Sequence, residues 1–542
     1  MAQVPDSDSP PASPAPDHLA EAAGLAGAAT LTSRILGLVR EQVLAAMFGA
    51  GDTMDAFYVA FRIPNLVRDL FAEGAMSAAF VPTFTRHLTL HGKEDAWRLG
   101  NHVINALLVV TGVLVLLGTV FAGPLVTLYS NGFASVPGKL ELTIHLARIM
   151  MPFLTLVAVA AAVMGMLNSL RHYFIPALSP ATFNVVAILF ALALTPLMPA
   201  LGQPPIASMA IAALVGGVTQ VAIQWPSLRS EGFRYRPILD FRNPGLRQVL
   251  VLMGPGTVGL AATQLNLFVS TYLAAHEGTG AVSWLSYAYR VMYLPLGLFG
   301  VSIATAVLPV AARHAAVDDR LAIRQTLTRG LALMLLVNVP AACGLMLLSH
   351  EIIRLLLERG HFTSADTTAT AAALRFYALG LVGYSTTRIL SPVFYALGRS
   401  RVPVVLSAVS VVVNLALSLV FVRFTGFAGL ALATSTAAIV NAGLCLVVLR
   451  NHLGGIGARH LVPAIAKIGV ATAAMAGAVV VVNRALAATA LEGGTLMRAA
   501  TLLVTIVAGS ATLAATARLL GLDELRDVES MVTRKLRKLF AR

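Results

Sequence analysis

The chain has 542 residues, of which 57% are hydrophobic and only 12% charged, about half the charge of a soluble globular protein. With a mean hydropathy of +0.79 this excludes a soluble multidomain enzyme, and apolar stretches of about 20 residues without dyad alternation exclude a transmembrane β-barrel. The few charges are unbalanced, 39 Lys+Arg against 25 Asp+Glu, for a formal net charge of +14.

Residues 1–22 combine Pro5, Pro10, Pro11, Pro14 and Pro16 with Asp6, Asp8 and Asp17 and are predicted to be a disordered tail. They have no positive n-region and no small-residue cleavage site, so they do not read as a signal peptide. Fourteen helical spans follow, near 25–48, 54–89, 103–127, 142–168, 175–198, 206–229, 245–275, 281–312, 328–350, 367–395, 402–424, 428–450, 463–487 and 497–520. The second and eighth exceed a simple crossing and contain Pro64, Glu73-Gly74 and Pro295, so both are expected to bend, tilt or run along the interface. The even-numbered loops and the C-terminal tail hold 25 Lys/Arg and the odd-numbered loops six, which places the even loops and both termini in the cytoplasm. The basic tail 521–542 sets Leu525, Val528, Val532, Leu536 and Leu539 near helical spacing among Arg534, Lys535, Arg537 and Lys538. That pattern suits a helix on the inner leaflet, and equally a solvated one. Cys343 and Cys445 lie in apolar runs and offer neither a disulfide framework nor metal spacing.

Two segments about 228 residues apart are alike. LAAMFGAGDTMDAFYVAFRIP begins at Leu44 and LAAHEGTGAVSWLSYAYRVMYLP at Leu273, and they share an AxR triplet at Ala60–Arg62 and Ala288–Arg290. Both reach a matched run, AAFVPTFTRH ending at His87 and TAVLPVAARH ending at His314. The copies start six spans apart, an even number, so both halves enter the membrane in the same direction. The expected fold is all-α and polytopic: two six-helix lobes, 23–229 and 245–450, related by a parallel pseudo-two-fold, plus two further helices over 463–520. A cleft is expected at the repeat interface, where transporters place substrate.

With residues within four positions of a span end counted among the loops, eight basic residues fall within spans: Arg34, Arg40, Arg62, Arg68, Arg148, Arg290, Arg375 and Arg388. Burying each costs a few kcal/mol, so each needs water, a partner or a function. The acids within spans are Glu41, Asp55, Asp69 and Glu73, all on the first two spans, which leaves a surplus of about four positive charges. Arg34 and Glu41 are seven residues apart and share a helix face. Arg68 follows Pro64-Asn65, where a bent helix exposes backbone groups. Arg290 lies on the repeat-equivalent helix of the other lobe, where it is expected to face the cleft. A cationic, water-filled cleft binds an anion, and guanidinium forks suit phosphate oxygens. Arg62, Arg148 and Arg375 read as snorkelling or capping residues near span ends; Arg388 is left open. No HExxH, P-loop, GxSxG or paired loop DxD pattern occurs. His87, His91, His172, His314, His452 and His460 sit at loop edges and read as solvated residues. With no nucleotide site, transport is expected to draw on a gradient, the membrane potential or consumption of product.

The stretch SRILGLVREQVLAAMFGAGDTMDAFYVAFRIPNLVRDLFAEGAMSAAFVP resembles the MurJ/MviN family of lipid II flippases, within the multidrug/oligosaccharidyl-lipid/polysaccharide exporter superfamily. SWLSYAYRVMYLPLGLFGVSIATAVLP from Ser283, LLLERGHFTSADT from Leu355 and SPVFYALGRSRVPV from Ser391 add to the resemblance, which covers about residues 25–520. It implies a transporter rather than an enzyme, in the bacterial cytoplasmic membrane, with no cofactor. The cavity would accept the pyrophosphate and sugar-peptide head of lipid II at the inner leaflet and release it outside by alternating access. The helices over 463–520 would form a groove for the polyprenyl tail. The resemblance assigns substrate binding to Arg34, Arg40, Arg68 and Arg290. It makes Asp55 and Glu73 gate partners that pair with arginines in one state and release them in the other, and Glu41 a further charge partner. Lipid II, membrane lipids and cell-wall synthases are the implied partners, and nucleic acid is not one.

Departures from the family pattern carry information. Arg40-Glu41 stands where the family commonly has Arg-Asp, and Tyr289 replaces an acid before Arg290. The positions matching a sodium site in some members are Ser270, Asn414, Ser418 and Thr434, none of them charged. A hard cation normally wants a carboxylate, so no metal site and no sodium coupling are expected. Three alternatives stay open: a flippase or exporter of another polyprenyl-linked glycan, a membrane-embedded enzyme, and a scaffold of cell-wall synthesis. A cationic-drug antiporter would want an acidic cavity, and the sign here is opposite. An enzyme on the same lipids would need a clustered acid/base site, whereas the extracytoplasmic loops carry only isolated acids.

Overall fold

The computed structural model describes residues 16–69, 76–297, 301–492, 494–522 and 524–525, and all regular structure among them is helical. In chain order the α-helices are α1 (Pro16–Phe48), α2 (Asp52–Arg68), α3 (Ser77–Val120), α4 (Ala122–Ser130), α5 (Lys139–Met150), α6 (Phe153–Ser169), α7 (Phe174–Ala193), α8 (Ala207–Ser230) and α9 (Pro244–Ala274). They continue with α10 (Ala281–Pro295), α11 (Val301–Ala316), α12 (Arg320–Leu347), α13 (Ser349–Leu357), α14 (Ser364–Ala396), α15 (Arg401–Thr425), α16 (Ala428–Leu453), α17 (Ala458–Glu492) and α18 (Thr495–Leu519). Each of the fourteen expected spans falls on helix among the described residues.

The boundaries differ in three places. Helix α1 starts at Pro16, inside the segment expected to be disordered, because proline is pre-organised for the first helical position and the Ala-rich run after it favours helix. The second span falls on α2 and the start of α3, with residues 70–75 outside the described ones. Helix α3 then runs through the expected second loop and most of the third span, with Gly92 its one non-helical residue. The eighth span falls on α10 and α11 and extends beyond 312 to Ala316, with residues 298–300 outside the described ones. Glu73, residues 1–15 and the tail from 526 onward lie outside the described residues.

The repeat is visible in the element lengths. Helices α2 and α10 have 17 and 15 residues. Helices α4 and α13 each have nine and follow a long span closely. Nine helices among the described residues are individually long and apolar enough to cross a membrane. The expected spans missing from that set are 25–48, 54–89, 245–275, 281–312 and 367–395.

Two compact units form. The first comprises Met1–Leu44, Ala60–Leu125 and Ile144–Leu260. Its core gathers Phe80, Phe84, Trp97, Met166 and Phe233, and the segment after α8 is strapped to α3 by two asparagines one turn apart. Asn101 accepts from Arg236 N (2.8 Å), while Asn105 donates to Arg236 O (2.8 Å) and accepts from the Tyr235 hydroxyl (2.7 Å). Such side chains satisfy an extended backbone that has no strand partner. The second unit comprises Ala45–Val59, Val126–Thr143 and Ala261–Arg542. Its core joins α11, α12, α14 and α16 around Leu327, Met334, Phe394 and Leu449. Helices α17 and α18 join α12 through Leu336, Ile468, Ala471 and Ala517.

Candidate functional site

Within the second unit, the chemistry concentrates around Asp55, on the first turn of α2 and fully buried. Helix α10 begins at Gly280, which has no side chain to cap it. Asp55 supplies the missing cap from another helix. Its Oδ2 accepts from Gly280 N at 2.8 Å, and its Oδ1 accepts from Ser283 N at 2.8 Å and Ser283 Oγ at 2.7 Å. A carboxylate against helix N–H groups is stabilised by hydrogen bonding and by the helix dipole. Gly280 has a φ of 92°, and a Cβ there would stand 2.5 Å from Ala50 O and 2.6 Å from the Trp284 ring. Glycine alone permits this approach.

The counter-charge is Lys139, whose Nζ lies 2.8 Å from Asp55 Oδ2 and 2.7 Å from Asp52 Oδ1. Lys139 is 3% exposed and its ammonium sits 4.1 Å from the Phe133 ring centroid. Thr279 Oγ1 donates to Asp52 at 2.8 Å. The segment containing GHFTSADT closes the same region. His361 N donates to Ala46 O (2.9 Å), Thr363 and Asp366 form a capping box for α14, and Asp366 Oδ1 accepts from Trp284 Nε1 (2.8 Å). Asp55 therefore has Lys139 as its charge partner in this conformation, where an arginine was expected.

Two turns along α10, the Arg290 guanidinium carbon lies 5.5 Å from the Tyr58 ring centroid, a cation–π distance. Tyr58 meets Tyr287 edge-on at 5.7 Å. Tyr289, standing where the resemblance led one to expect an acid, packs against Tyr293 at 5.9 Å and Tyr377 at 5.5 Å. Arg388 donates to the Tyr293 hydroxyl and stands 5.3 Å from that ring. Arg290 and Arg388 thus each lie against an aromatic face, and Arg388 also against a hydroxyl. Arg375, by contrast, is tied to buried Ser349 Oγ at 2.8 Å, a structural role.

In the first unit, Arg40 and Glu41 of α1 form a pair at 2.5 Å with side-chain exposures of 14% and 6%. The Arg40 guanidinium also lies 5.5 Å from the Phe183 ring centroid, and Phe183 stacks with Phe61 at 6.1 Å. Arg68, the last residue of α2, pairs with Asp69 at 2.7 Å. Arg34 is half-buried on α1 and has no ion-pair partner among the described residues; Glu41, seven residues on, pairs with the adjacent Arg40. Arg148 is exposed at the end of α5. Asp55 pairs with Lys139 rather than with a span arginine.

The positions expected to match a sodium site fall as follows. Asn414 Oδ1 and Ser418 Oγ, one turn apart on α15, are buried without a hydrogen-bond partner. Asn414 Nδ2 donates to Asn266 Oδ1, and Thr434 Oγ1 donates to Leu430 O at 2.7 Å. Ser270 is half-buried on α9. Two neutral oxygens without a carboxylate do not fit a hard cation, and a bound water fits them better.

Lys139, Gly280 and Ser283 are absent from the candidate residues read from sequence. One signal points to Lys139: it is one of only six basic residues in the odd-numbered loops.

A family model described as "Lipid II flippase MurJ" matches residues 44–500. A Vibrio cholerae protein named "Probable lipid II flippase MurJ" is 33% identical over 518 residues, covering 93% of this chain and 97% of that one. A solved structure titled "Lipid II flippase MurJ, inward closed conformation" aligns with a TM-score of 0.75 at 27% identity, over 92% of this chain and 99% of the other. An inward-facing multidrug-resistance MATE transporter aligns with a TM-score of 0.66 at 16% identity, over 78% and 94%, and shares the fold.

Proposed function

The chain belongs to the MurJ family, and from that premise we propose that it is a lipid II flippase, a multi-pass transporter of the bacterial cytoplasmic membrane with both termini inside. Its cargo is the undecaprenyl-pyrophosphate-linked peptidoglycan precursor, carried from the inner to the outer leaflet by alternating access. Cell-wall synthases, which make and consume that lipid, are its natural neighbours.

The observation that carries the reading is the arginine set. Arg34, Arg40, Arg68 and Arg290 bind the pyrophosphate, whose oxygens accept paired N–H donors from a guanidinium. Aromatic faces beside Arg40 and Arg290 pre-orient the forks for the ligand. Glu41 acts as a charge partner that the phosphate displaces from Arg40. Glu73 is kept as a second gate carboxylate on the strength of its motif alone. Asp55 serves as a gate residue: it fastens α2 to the start of α10 through Gly280 and Ser283. When the cargo draws α10 away through Arg290, three hydrogen bonds to Asp55 are lost together. Residues 463–520 hold the polyprenyl tail on apolar surface, of which Leu503, Val504 and Val507 are exposed examples.

Transbilayer movement of labelled lipid II in vesicles containing only this protein tests the proposal. Movement is expected with the native chain and a loss of tenfold or more with Arg290→Gln. The absence of protein-dependent movement, or equal movement by Arg290→Gln, would overturn it.

A further inference from the structure

Helix α3 departs from helical geometry at Gly92, with φ 84° and ψ 179°. No atom lies within 4 Å of where its Cβ would be, so backbone conformation rather than space demands glycine there. The break has a chemical result. In an unbroken helix, residues eight apart are separated by about 12 Å along the axis, yet His87 Nδ1 and Asp95 Oδ2 are 2.5 Å apart. His91 Nδ1 lies 3.8 Å from the same oxygen, and one ligand atom from each of the three falls within 4.8 Å of the others.

We propose that His87, His91 and Asp95 form a site for a transition-metal dication of the Zn2+ class, clasping the Gly92 break. Zn2+ binds imidazole nitrogen and carboxylate oxygen at about 2.0–2.2 Å, so tetrahedral ligand atoms lie about 3.3 Å apart. The observed separations, from 2.5 Å to within 4.8 Å, bracket that spacing. Two imidazoles and one carboxylate suit Zn2+, Co2+ or Ni2+ and not Ca2+ or Mg2+, which require oxygen cages.

The surroundings favour metal entry. His91 and Asp95 have exposed side chains (58% and 39%), which leaves an access path and a fourth position for water. The His87 ring is backed by α9, since a Cβ on Gly245 would stand 3.0 Å from Nε2; Nδ1 is thereby left toward Asp95. Lys93, the nearest ammonium in sequence, is drawn to Glu231 at 2.8 Å. A metal here would fix the angle between the two halves of α3, which end the second span and begin the third.

Titration of the purified full-length protein, without a polyhistidine tag, with Co2+ tests this directly. One equivalent is expected to bind in the micromolar range with visible d–d absorption that Zn2+ abolishes and Mg2+ does not. His91→Ala removes an exposed ring and Asp95→Asn keeps the side-chain shape; each is expected to weaken binding tenfold or more. Saturable binding that both variants retain unchanged would overturn the site, as would a native protein that shows no stoichiometric Co2+ signal. Displacement by Mg2+ as effective as by Zn2+ would overturn the metal class.

Discussion

Asp55 accepts two hydrogen bonds from Ser283, the residue that occupies its own position in the second repeat, 228 residues later. The contact thus joins equivalent positions of the two similar segments. One copy carries the acid and the other a neutral donor. An acid in both would place like charges together, and the divergence of the repeat at this pair is what allows the contact.

Removal of Lys139 should expose how much the cluster depends on charge. Lys139→Ala leaves Asp55 buried with neutral donors and the partly exposed Asp52 beside it, and breaking a buried pair from one side costs about 3–5 kcal/mol. Thermal unfolding in detergent should show a large loss for the single variant and a smaller one for Lys139→Ala/Asp55→Ser. Additive losses in the double variant would show that the two side chains are not coupled.

Arginine geometry at position 290 should separate charge from shape. Arg290→Lys retains the cation but not the planar fork, so lipid II movement should fall less than with Arg290→Gln, whose deficit of tenfold or more corresponds to at least about 1.4 kcal/mol. The unfolding temperature should be little changed in either case. Equal activity of the Lys and Gln variants would place the role of Arg290 outside charge recognition.

Gly280→Ala should destabilise by more than about 1 kcal/mol, because a left-handed backbone and two close contacts are both disturbed. The signature is a lower unfolding temperature together with loss of the α2–α10 attachment, read as faster hydrogen exchange at Gly280–Ser283. Unchanged exchange there would separate the cap from the fold.

Glu231 lies outside the membrane spans, where Lys93 and His172 hold its carboxyl below its ordinary value near 4.5. A depressed carboxyl stabilises fully above the unfolded value and loses that contribution as pH falls through the lowered folded value. The effect is that of a partly exposed ion pair, at most about 1 kcal/mol. Glu231→Gln should therefore lower the unfolding temperature slightly near about pH 7 and make no difference near about pH 3. A difference that persists in acid would contradict the assignment.

The span pattern is legible in sequence because lipid imposes a length and a polarity that any crossing must meet. The need of Asp55 for a partner is legible for the same reason. The partner is not. Lys139 reads as one more loop lysine, and its partners Asp55 and Asp52 stand 84 and 87 positions away, assembled only by the tertiary fold. Polar HGKEDAW reads as a loop, although its helix formers continue α3 on both sides of Gly92. Tyr289 reads as a lost counter-ion, whereas the fold uses its ring to pack against Tyr293 and Tyr377. Residue chemistry is local; the choice of partner is not.

The arginine content of the first two helices bears on biogenesis. Arg34 and Arg40 of α1 and Arg62 and Arg68 of α2 leave the ribosome before Ala79–Val120, whose mean hydropathy is 2.5. Neither polar span partitions into lipid well by itself, since a central arginine costs about 2.5–3.5 kcal/mol on insertion scales. That cost favours their entry together with the strongly apolar helix that follows, so the arginines proposed to bind an anionic lipid head also bear on how the membrane accepts the first helices.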